Sequence, residues 1–316
     1  PLLLAWAGGG PYGFIGTPKS DHTWASAPPA GWGSTPLADG YHRCKGSEWD
    51  PWEWALMARP RCRLVAVRDR LTARGLRRHG VAATAPGNPM MDGLDSVPLP
   101  PALQSCRRLL LLPGSRQPEC LRNLSRLLLA LEPITAGADG PTALTLLLAT
   151  GSHPTAAELA APLQAAGFSR VAGAPADPSA PGAPQQIWRR GSVALWLGAG
   201  RFAAWAGWAE LALATAGTAT EQAVGLGIPA LSLPGAGPQF KAGFARRQSR
   251  LLGGAVQPCH TPADLNRRLW ELLARPEERL RLGRIGRRRM GTAGGSARLA
   301  ALIEQRLLGP PPAGSG

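Results

Sequence analysis

The sequence lacks any apolar run long enough to cross a bilayer as a helix. Its longest apolar segments, around residues 109–112 and 143–149, have the length of strands. It also lacks a basic segment followed by an apolar stretch and a cleavage site, so we do not expect these first residues to be a signal peptide. The chain begins with Pro1, and its first residues (PLLLAWA) are typical of a buried element. We therefore expect residue 1 to lie inside a domain.

Cysteines with metal-ligand or disulfide spacing are absent as well. The five cysteines are scattered along the chain, and no two form a C-x-x-C pair. This pattern argues against a zinc site or a disulfide framework and favours a reducing compartment. The residues are Cys44, Cys62, Cys106, Cys120 and Cys259.

Lysine is scarce, although the chain is strongly basic. The net charge is +15, and Lys19, Lys45 and Lys241 are the only lysines, so arginine supplies almost all positive charge. An arginine-rich surface attracts anionic lipid, nucleotide diphosphate or nucleic acid. A GC-rich coding sequence gives the same bias without any function. Aromatic and basic residues are not interleaved as in RNA-binding proteins, so nucleic acid is not an expected partner.

What is present is a globular composition, with 44% hydrophobic residues, and a change of pattern along the chain. Residues 1–103 are rich in Trp, Pro and Gly, and a proline-rich stretch (96–105) suits a linker. Residues 104–308 alternate short apolar strands with helical segments, and 309–316 read as a flexible tail. The alternation predicts an α/β fold with a doubly wound parallel sheet.

Two strand–loop–helix junctions have the residues that phosphate binding requires. At the first, a buried strand ends at Pro113 and the chain turns through Gly114, Ser115 and Arg116. The glycine allows close backbone approach, the serine offers a hydroxyl, and the arginine offers a forked cation suited to a diphosphate. Ligands of open parallel sheets bind at the carboxyl ends of strands, where this loop is expected. The alternative is an ordinary turn with a solvated arginine.

The second junction runs through Gly217, Thr218, Ala219, Thr220 and Glu221. Small residues let a phosphate reach a helix N-terminus, both threonine hydroxyls can donate to it, and the glutamate can accept bonds from ribose hydroxyls. The same residues also fit a capping box without a ligand, with threonine as N-cap and glutamate as its partner.

A third candidate follows a glycine-rich loop. Gln239 is placed to hydrogen-bond sugar hydroxyls, and Lys241 is close enough in sequence to meet a phosphate. The alternative is a structural role, which is the more common one for a lone glutamine after a turn.

These segments occur together and in an order that resembles the donor domain of lipid-A-disaccharide synthase. The similar segments are LLPGSR..E (111–119), G-T-A-T-E (217–221) and Gln-Phe (239–240). Upstream, PGNPMMDG (86–93) resembles that family's Gly-His-Pro-x-x-Asp segment, with Asn88 at the His position. The pattern FIGTPKSDHTW, GSEWDPWEWALM and RDRLT looks like the synthase-related branch typical of cyanobacteria.

The resemblance implies a GT-B fold of two Rossmann-like doubly wound domains, with the N-terminal one incomplete. It implies an inverting hexosyltransferase that moves a sugar from a UDP-sugar to a lipid or glycolipid acceptor, without a metal or other cofactor. It would place the donor diphosphate near the Gly114 and Gly217 loops, the ribose near Glu221 and the sugar near Gln239.

The catalytic aspartate that is proposed for the synthase lies on a loop that would fall upstream of Pro1. Within the chain, Asp21 is the remaining candidate, since an inverting transfer needs a carboxylate or histidine to take the acceptor's proton. It lies in a polar cluster with Lys19, Ser20 and His22. The alternative is that Asp21 is a turn residue.

Trp49, Trp52 and Trp54 allow two interpretations as well, a membrane-interface surface or a packed core. We expect a cytoplasmic protein, associated peripherally with the inner face of the cytoplasmic membrane.

Two rival functions stay open. One is a UDP-sugar 2-epimerase, which shares the fold and needs an acidic and histidine constellation that the sequence does not reveal. The other is a non-catalytic subunit that binds nucleotide sugar.

Overall fold

The protein folds into two compact units in a computed structural model that describes residues 1–33, 35–136, 143–173, 180–235 and 240–308. Unit 1 comprises Pro1–Asp92 together with the C-terminal residues from Arg289 on, and unit 2 comprises Gly93–Arg288. No described helix is both long and apolar enough to cross a membrane.

Unit 1 is built on a three-stranded parallel sheet in the order β1-β2-β3. Its strands are β1 (Tyr12–Gly16), β2 (Cys62–Val67) and β3 (Ala83–Thr84). Its first helices are α1 (Leu2–Ala7), α2 (His22–Ala25), α3 (Pro36–Lys45), α4 (Pro51–Met57) and α5 (Arg70–Arg78). Trp49, Met57 and Leu76 are buried beside the strands, which gives this unit a core of its own.

Unit 2 is built on an eight-stranded sheet in the order β11-β10-β9-β4-β5-β8-β7-β6. The strands are β4 (Arg107–Leu112), β5 (Leu144–Thr150), β6 (Ser169–Arg170), β7 (Gln186–Arg190), β8 (Val193–Ala199), β9 (Leu211–Ala214), β10 (Ala230–Ser232) and β11 (Val256–Pro258). The predicted strands are present, but the sheet is mixed rather than wholly parallel. The reason is that β7 and β8 form an antiparallel hairpin, and β6 also pairs with β7 in the antiparallel direction.

The helices of unit 2 are α6 (Glu119–Ala136), α7 (Ala156–Ala165), α8 (Phe202–Trp208), α9 (Thr218–Gly225), α10 (Ala242–Leu251), α11 (Pro262–Ala274) and α12 (Pro276–Met290). The leucines of the central strand β4 are fully buried, and Leu124, Leu127 and Leu131 of α6 pack into the same core. Helix α7 continues through Pro162.

The last α-helix, α13 (Gly295–Ile303), belongs to unit 1, although we expected residues 104–308 to form one domain. The carboxylate of Asp92 accepts hydrogen bonds from the backbone N–H groups of Gly295 (3.3 Å) and Ser296 (2.7 Å) at the start of this helix. A Cβ on Gly295 would lie 2.6 Å from the carbonyl carbon of Asn88, so the helix approaches this segment closely. These contacts join positions that are about two hundred residues apart in the chain.

Candidate functional site

A cavity of about 670 Å³ opens at the carboxyl ends of the strands of unit 2. Its walls come from the loops that follow β9, β4, β5 and β8, four neighbouring strands of the sheet. This is the edge at which open α/β sheets bind ligands. All residues that line the cavity belong to unit 2.

The loop after β4 forms one wall, and it contains the predicted residues Gly114, Ser115 and Arg116. Gly114 has a φ of +93°, a left-handed conformation that favours glycine over residues with a side chain. The side-chain amide of Asn123 on α6 donates to the carbonyl of Pro113 (3.2 Å) and fixes the start of this loop. Arg116 is exposed, and no described residue pairs with its guanidinium, which therefore remains available to an anion.

The loop after β9 forms the adjoining wall and leads into α9. Gly217 is the N-cap of this helix, and no side chain caps it. The predicted capping box of Thr218 and Glu221 is therefore wrong, since Thr218 is already the first helical residue. Within the part of the chain that the structure describes, the backbone N–H groups of Thr218 and Ala219 have no acceptor. Both residues line the cavity, so the positive end of the helix faces it.

The other predicted donor residues lie elsewhere. Thr220 is fully buried, and its hydroxyl donates to the carbonyl of Ala216 (2.7 Å), so that proton is not available to a phosphate. Glu221 does not line the cavity, whereas the next residue, Gln222, does. Gln239 lies outside the described residues.

Three phenylalanines line the cavity, and sequence reasoning missed all of them as site residues. Phe202 opens α8, and Phe240 and Phe244 flank the start of α10 with their ring centroids 5.2 Å apart. Phe240 is 5% exposed and Phe244 is 40% exposed, so Phe244 presents a free ring surface. The cavity thus combines a polar backbone-lined part with aromatic walls, as small-molecule sites commonly do.

Asp21, the predicted base, is in the interior of unit 1 with 1% exposure. Its Oδ1 accepts from the backbone N–H of Glu48 (2.7 Å) and from the indole N–H of Trp24 (3.3 Å). Burial raises the pKa of Asp21 to about 6. Its Oδ2 lies against Gly75, where an added Cβ would be 2.2 Å away. The carboxylate thus holds three segments of unit 1 together, which gives it a structural role.

His22 and Asp69 form a second part of the same cluster. The carboxylate of Asp69 accepts from the hydroxyls of Ser20 (2.7 Å) and Thr72 (2.9 Å), and its Oδ1 is 3.9 Å from Nε2 of His22. Burial, together with nearby arginines, lowers the pKa of His22 to about 4. His22 is therefore neutral at pH 7.

A third carboxylate, Glu48, completes this cluster in unit 1. It accepts a hydrogen bond from the hydroxyl of Thr23 (2.7 Å) and lies 3.8 Å from Nε2 of His42. Among the residues that the structure describes, no group of three or more His, Cys, Asp or Glu side chains is arranged to hold a metal ion.

The three tryptophans of the 49–54 segment have different environments. Trp49 is 3% exposed, Trp54 stacks on His79 with a centroid separation of 3.5 Å, and Trp52 is 52% exposed. The packed-core interpretation holds for Trp49, and only Trp52 of the three presents a large apolar surface.

Several solved structures resemble this chain over almost its whole length. The S. aureus protein MnaA in complex with UDP has a TM-score of 0.55 at 13% identity, covering 97% of this chain and 70% of its own. The UDP-GlcNAc 2-epimerase from Neisseria meningitidis bound to UDP-GlcNAc has a TM-score of 0.53 at 13% identity, covering 96% and 72%. The calicheamicin glycosyltransferase CalG4 has a TM-score of 0.52 at 16% identity, covering 98% and 73%.

The fold is GT-B. This confirms the predicted fold class. Comparison with models of known families gives no match, and neither does comparison with curated proteins. Identities this low establish the GT-B fold and not the activity. The more specific resemblance to lipid-A-disaccharide synthase therefore stays a prediction.

Proposed function

We propose that the protein is a glycosyltransferase that takes a hexosyl group from a UDP-sugar and transfers it with inversion to a lipid or glycolipid acceptor. The observation that carries this proposal is the cavity of unit 2. There the Gly114–Arg116 loop and the open N-terminus of α9 face the same space, next to an exposed aromatic ring. Three features support the assignment to a nucleotide sugar. They are the volume of the cavity, the available hydrogen-bond donors that face it and the GT-B fold.

The donor diphosphate would lie between the two loops. Arg116 offers a planar fork that matches phosphate oxygens, and the N–H groups of Thr218 and Ala219 add the positive end of α9. A cavity of about 670 Å³ is within the range of sites for small molecules, and its phenylalanines suit the flat face of a base.

The same groups explain how transfer would be promoted. The acceptor hydroxyl attacks the anomeric carbon, the bond from that carbon to the β-phosphate oxygen breaks, and UDP leaves with the bonding electron pair. Negative charge grows on the leaving phosphate, so donors that are fixed beforehand around it stabilise the transition state. This stabilisation requires no metal. The proton of the acceptor hydroxyl passes to a base, and the burial of Asp21 argues against this residue in that role.

Calorimetric titration with UDP and UDP-GlcNAc tests the donor site. Replacing Arg116 with alanine removes a charged hydrogen-bond donor, so we expect UDP to bind at least about tenfold more weakly. Arg122→Ala is the matched control, since Arg122 is an exposed arginine of α6 that does not line the cavity. Equal UDP affinity in the wild type and Arg116→Ala would show that this loop is only a turn.

The lipid part of the proposal rests on the family resemblance and on the exposed Trp52 of unit 1. Flotation with vesicles that contain anionic lipid tests it, with Trp52→Ala as the variant. We expect the wild type to float with the vesicles and the variant to float less. Recovery of the wild type only in the unbound fraction would argue for an acceptor that is not in a membrane.

A second candidate function, 2-epimerisation of a UDP-sugar, gains support from the carboxylate and histidine cluster in unit 1. Proton exchange at a sugar carbon requires acidic and basic side chains. Besides the buried Asp21, the cluster contains the carboxylates of Glu48 and Asp69 and the imidazole of His22. Incubation of UDP-GlcNAc with the protein in D₂O separates the two functions. Deuterium at C2 of the sugar would indicate an epimerase. Transfer to an added acceptor without deuterium would indicate a transferase. Tight binding without either reaction would indicate a binding subunit.

A further inference from the structure

Gln248 of α10 is a buried amide whose hydrogen bonding is only half complete. It is 2% exposed, and its Nε2 donates to the carbonyl of Gly217 at 3.1 Å. Its Oε1 is buried and has no hydrogen-bond partner among the described atoms. A buried acceptor without a partner costs stability, and an apolar side chain of the same shape would avoid that cost. The presence of an amide at this buried position therefore indicates a role beyond packing.

The group that Gln248 holds is the peptide that starts α9. The carbonyl of Gly217 accepts a second hydrogen bond, from the backbone N–H of Glu221 (3.1 Å). A trans peptide is planar, with its C=O and N–H pointing in opposite directions. Holding the carbonyl of Gly217 from two sides therefore fixes the direction of the Thr218 N–H, which belongs to the same peptide. That N–H is one of the donors left open towards the cavity.

The same helix also positions the aromatic wall. Phe244 precedes Gln248 by four residues, so both side chains lie on one face of α10. A Cβ placed on Gly217 would be 3.7 Å from the ring of Phe244. Helix α10 thus contacts the Gly217 loop at two points, with the ring of Phe244 and with the amide of Gln248.

We propose that Gln248 is a positioning residue that clamps the Gly217 carbonyl and so aims the first N–H groups of α9 at a bound phosphate. This proposal rests on the proposed function, because it deepens the role of the same cavity. Gln248 does not line the cavity, so it would not touch the bound phosphate itself. Its effect passes through the peptide between Gly217 and Thr218.

The test uses inorganic pyrophosphate, UDP and uridine as separate probes in titrations followed by ¹⁵N–¹H NMR. In the wild type, pyrophosphate and UDP should shift the amide signals of Thr218 and Ala219. In Gln248→Met, which keeps the shape and loses the donor, both should bind at least about tenfold more weakly, whereas uridine affinity should not change. Gln248→Glu should behave in the same way, since a carboxylate cannot donate to the carbonyl. A merely structural role would change the affinities of all three probes together.

Gln257→Met is the matched control. Gln257 is a part-buried glutamine of β11 in the same unit that accepts a bond from Arg268 (2.7 Å) and does not line the cavity. Wild-type pyrophosphate affinity in Gln248→Met would overturn the inference. If the wild type binds pyrophosphate at Thr218 but not UDP, the nucleotide-sugar function fails and the clamp stands. If it binds neither, both fail.

Discussion

Asp21 and His22 are adjacent in the interior of unit 1, and their ionisation should affect stability in opposite directions. The pKa of Asp21 is raised from 3.8 to about 6, first by burial and then by the nearby carboxylates Asp69 and Glu48. The pKa of His22 is lowered from 6.5 to about 4, first by burial and then by Arg289 and Arg68, although Asp69 acts against this. The interval between the ordinary pKa and the pKa in the folded protein is therefore nearly the same for the two groups, 3.8 to about 6 for Asp21 and about 4 to 6.5 for His22.

The sign for each group follows from proton linkage. Between pH 4 and 6 the folded protein holds the Asp21 proton more tightly than the unfolded chain does, so its contribution to stability is present at low pH and is lost as the pH rises. The folded protein binds a proton to His22 more weakly, so that contribution is present above pH 6.5 and is lost as the pH falls. Each shift corresponds to about 3 kcal/mol, or about 2 kcal/mol after allowing for partial screening by solvent. In the wild type the two effects should largely cancel.

Single substitutions should therefore reveal the separate effects of pH on the free energy of unfolding that come from Asp21 and from His22. In Asp21→Asn the free energy of unfolding, relative to wild type, should rise by about 2 kcal/mol between pH 4 and pH 6.5, because the His22 effect is then unopposed. In His22→Gln it should fall by a similar amount between pH 4 and pH 6. Urea unfolding followed by circular dichroism at several pH values measures both. Slopes of the same sign in the two variants would show that Asp21 and His22 do not have opposite effects on stability.

Three further predictions concern stability. Leu110→Ala, at a fully buried position in β4, should cost about 2–5 kcal/mol of unfolding free energy, and a loss under 1 kcal/mol in urea unfolding would contradict the packing described for unit 2. Gly75→Ala should destabilise unit 1, because its Cβ would be 2.2 Å from the carboxylate of Asp21, and combining it with Asp21→Ala should restore part of the loss in a double-mutant cycle. Asp92→Asn should lower the melting temperature at pH 7 but not at pH 2. Hydrogen bonds, first that of the Ser296 side chain, lower the pKa of Asp92 to about 2. The contribution of the Asp92 carboxylate to stability is therefore lost as the pH falls towards that value.

Much of the architecture of unit 2 is predictable from sequence because its strands are short, continuous apolar runs. Residues 109–112 and 144–149 are buried on both faces, and such strands can be recognised without knowing which strands they pair with. Strand β7 (QIWRR) has no comparable run, and its pairing depends on the turn that joins it to β8. The membership of α13 in unit 1 depends on contacts such as Asp92 to Ser296, which leave no local signal in the sequence.

The candidate site likewise has features that the sequence predicts and features that depend on the tertiary fold. The loops at Gly114 and Gly217 follow recognisable strands and contain small and polar residues, so their position at one edge of the sheet is predictable. Phe202, Phe244 and Gln248 could not be predicted, because their helices reach the cavity or its wall through the tertiary fold and their residue types are common in cores. The burial of Asp21 has the same origin, since Glu48 and Gly75, which surround it, are distant in sequence.

A crystal structure of the protein grown with UDP is the decisive measurement for the donor site. We expect the diphosphate at the carboxyl ends of β4 and β9, within hydrogen-bond distance of the Thr218 N–H and the Arg116 guanidinium. UDP bound at any other place, or a diphosphate that contacts neither group, would contradict this expectation.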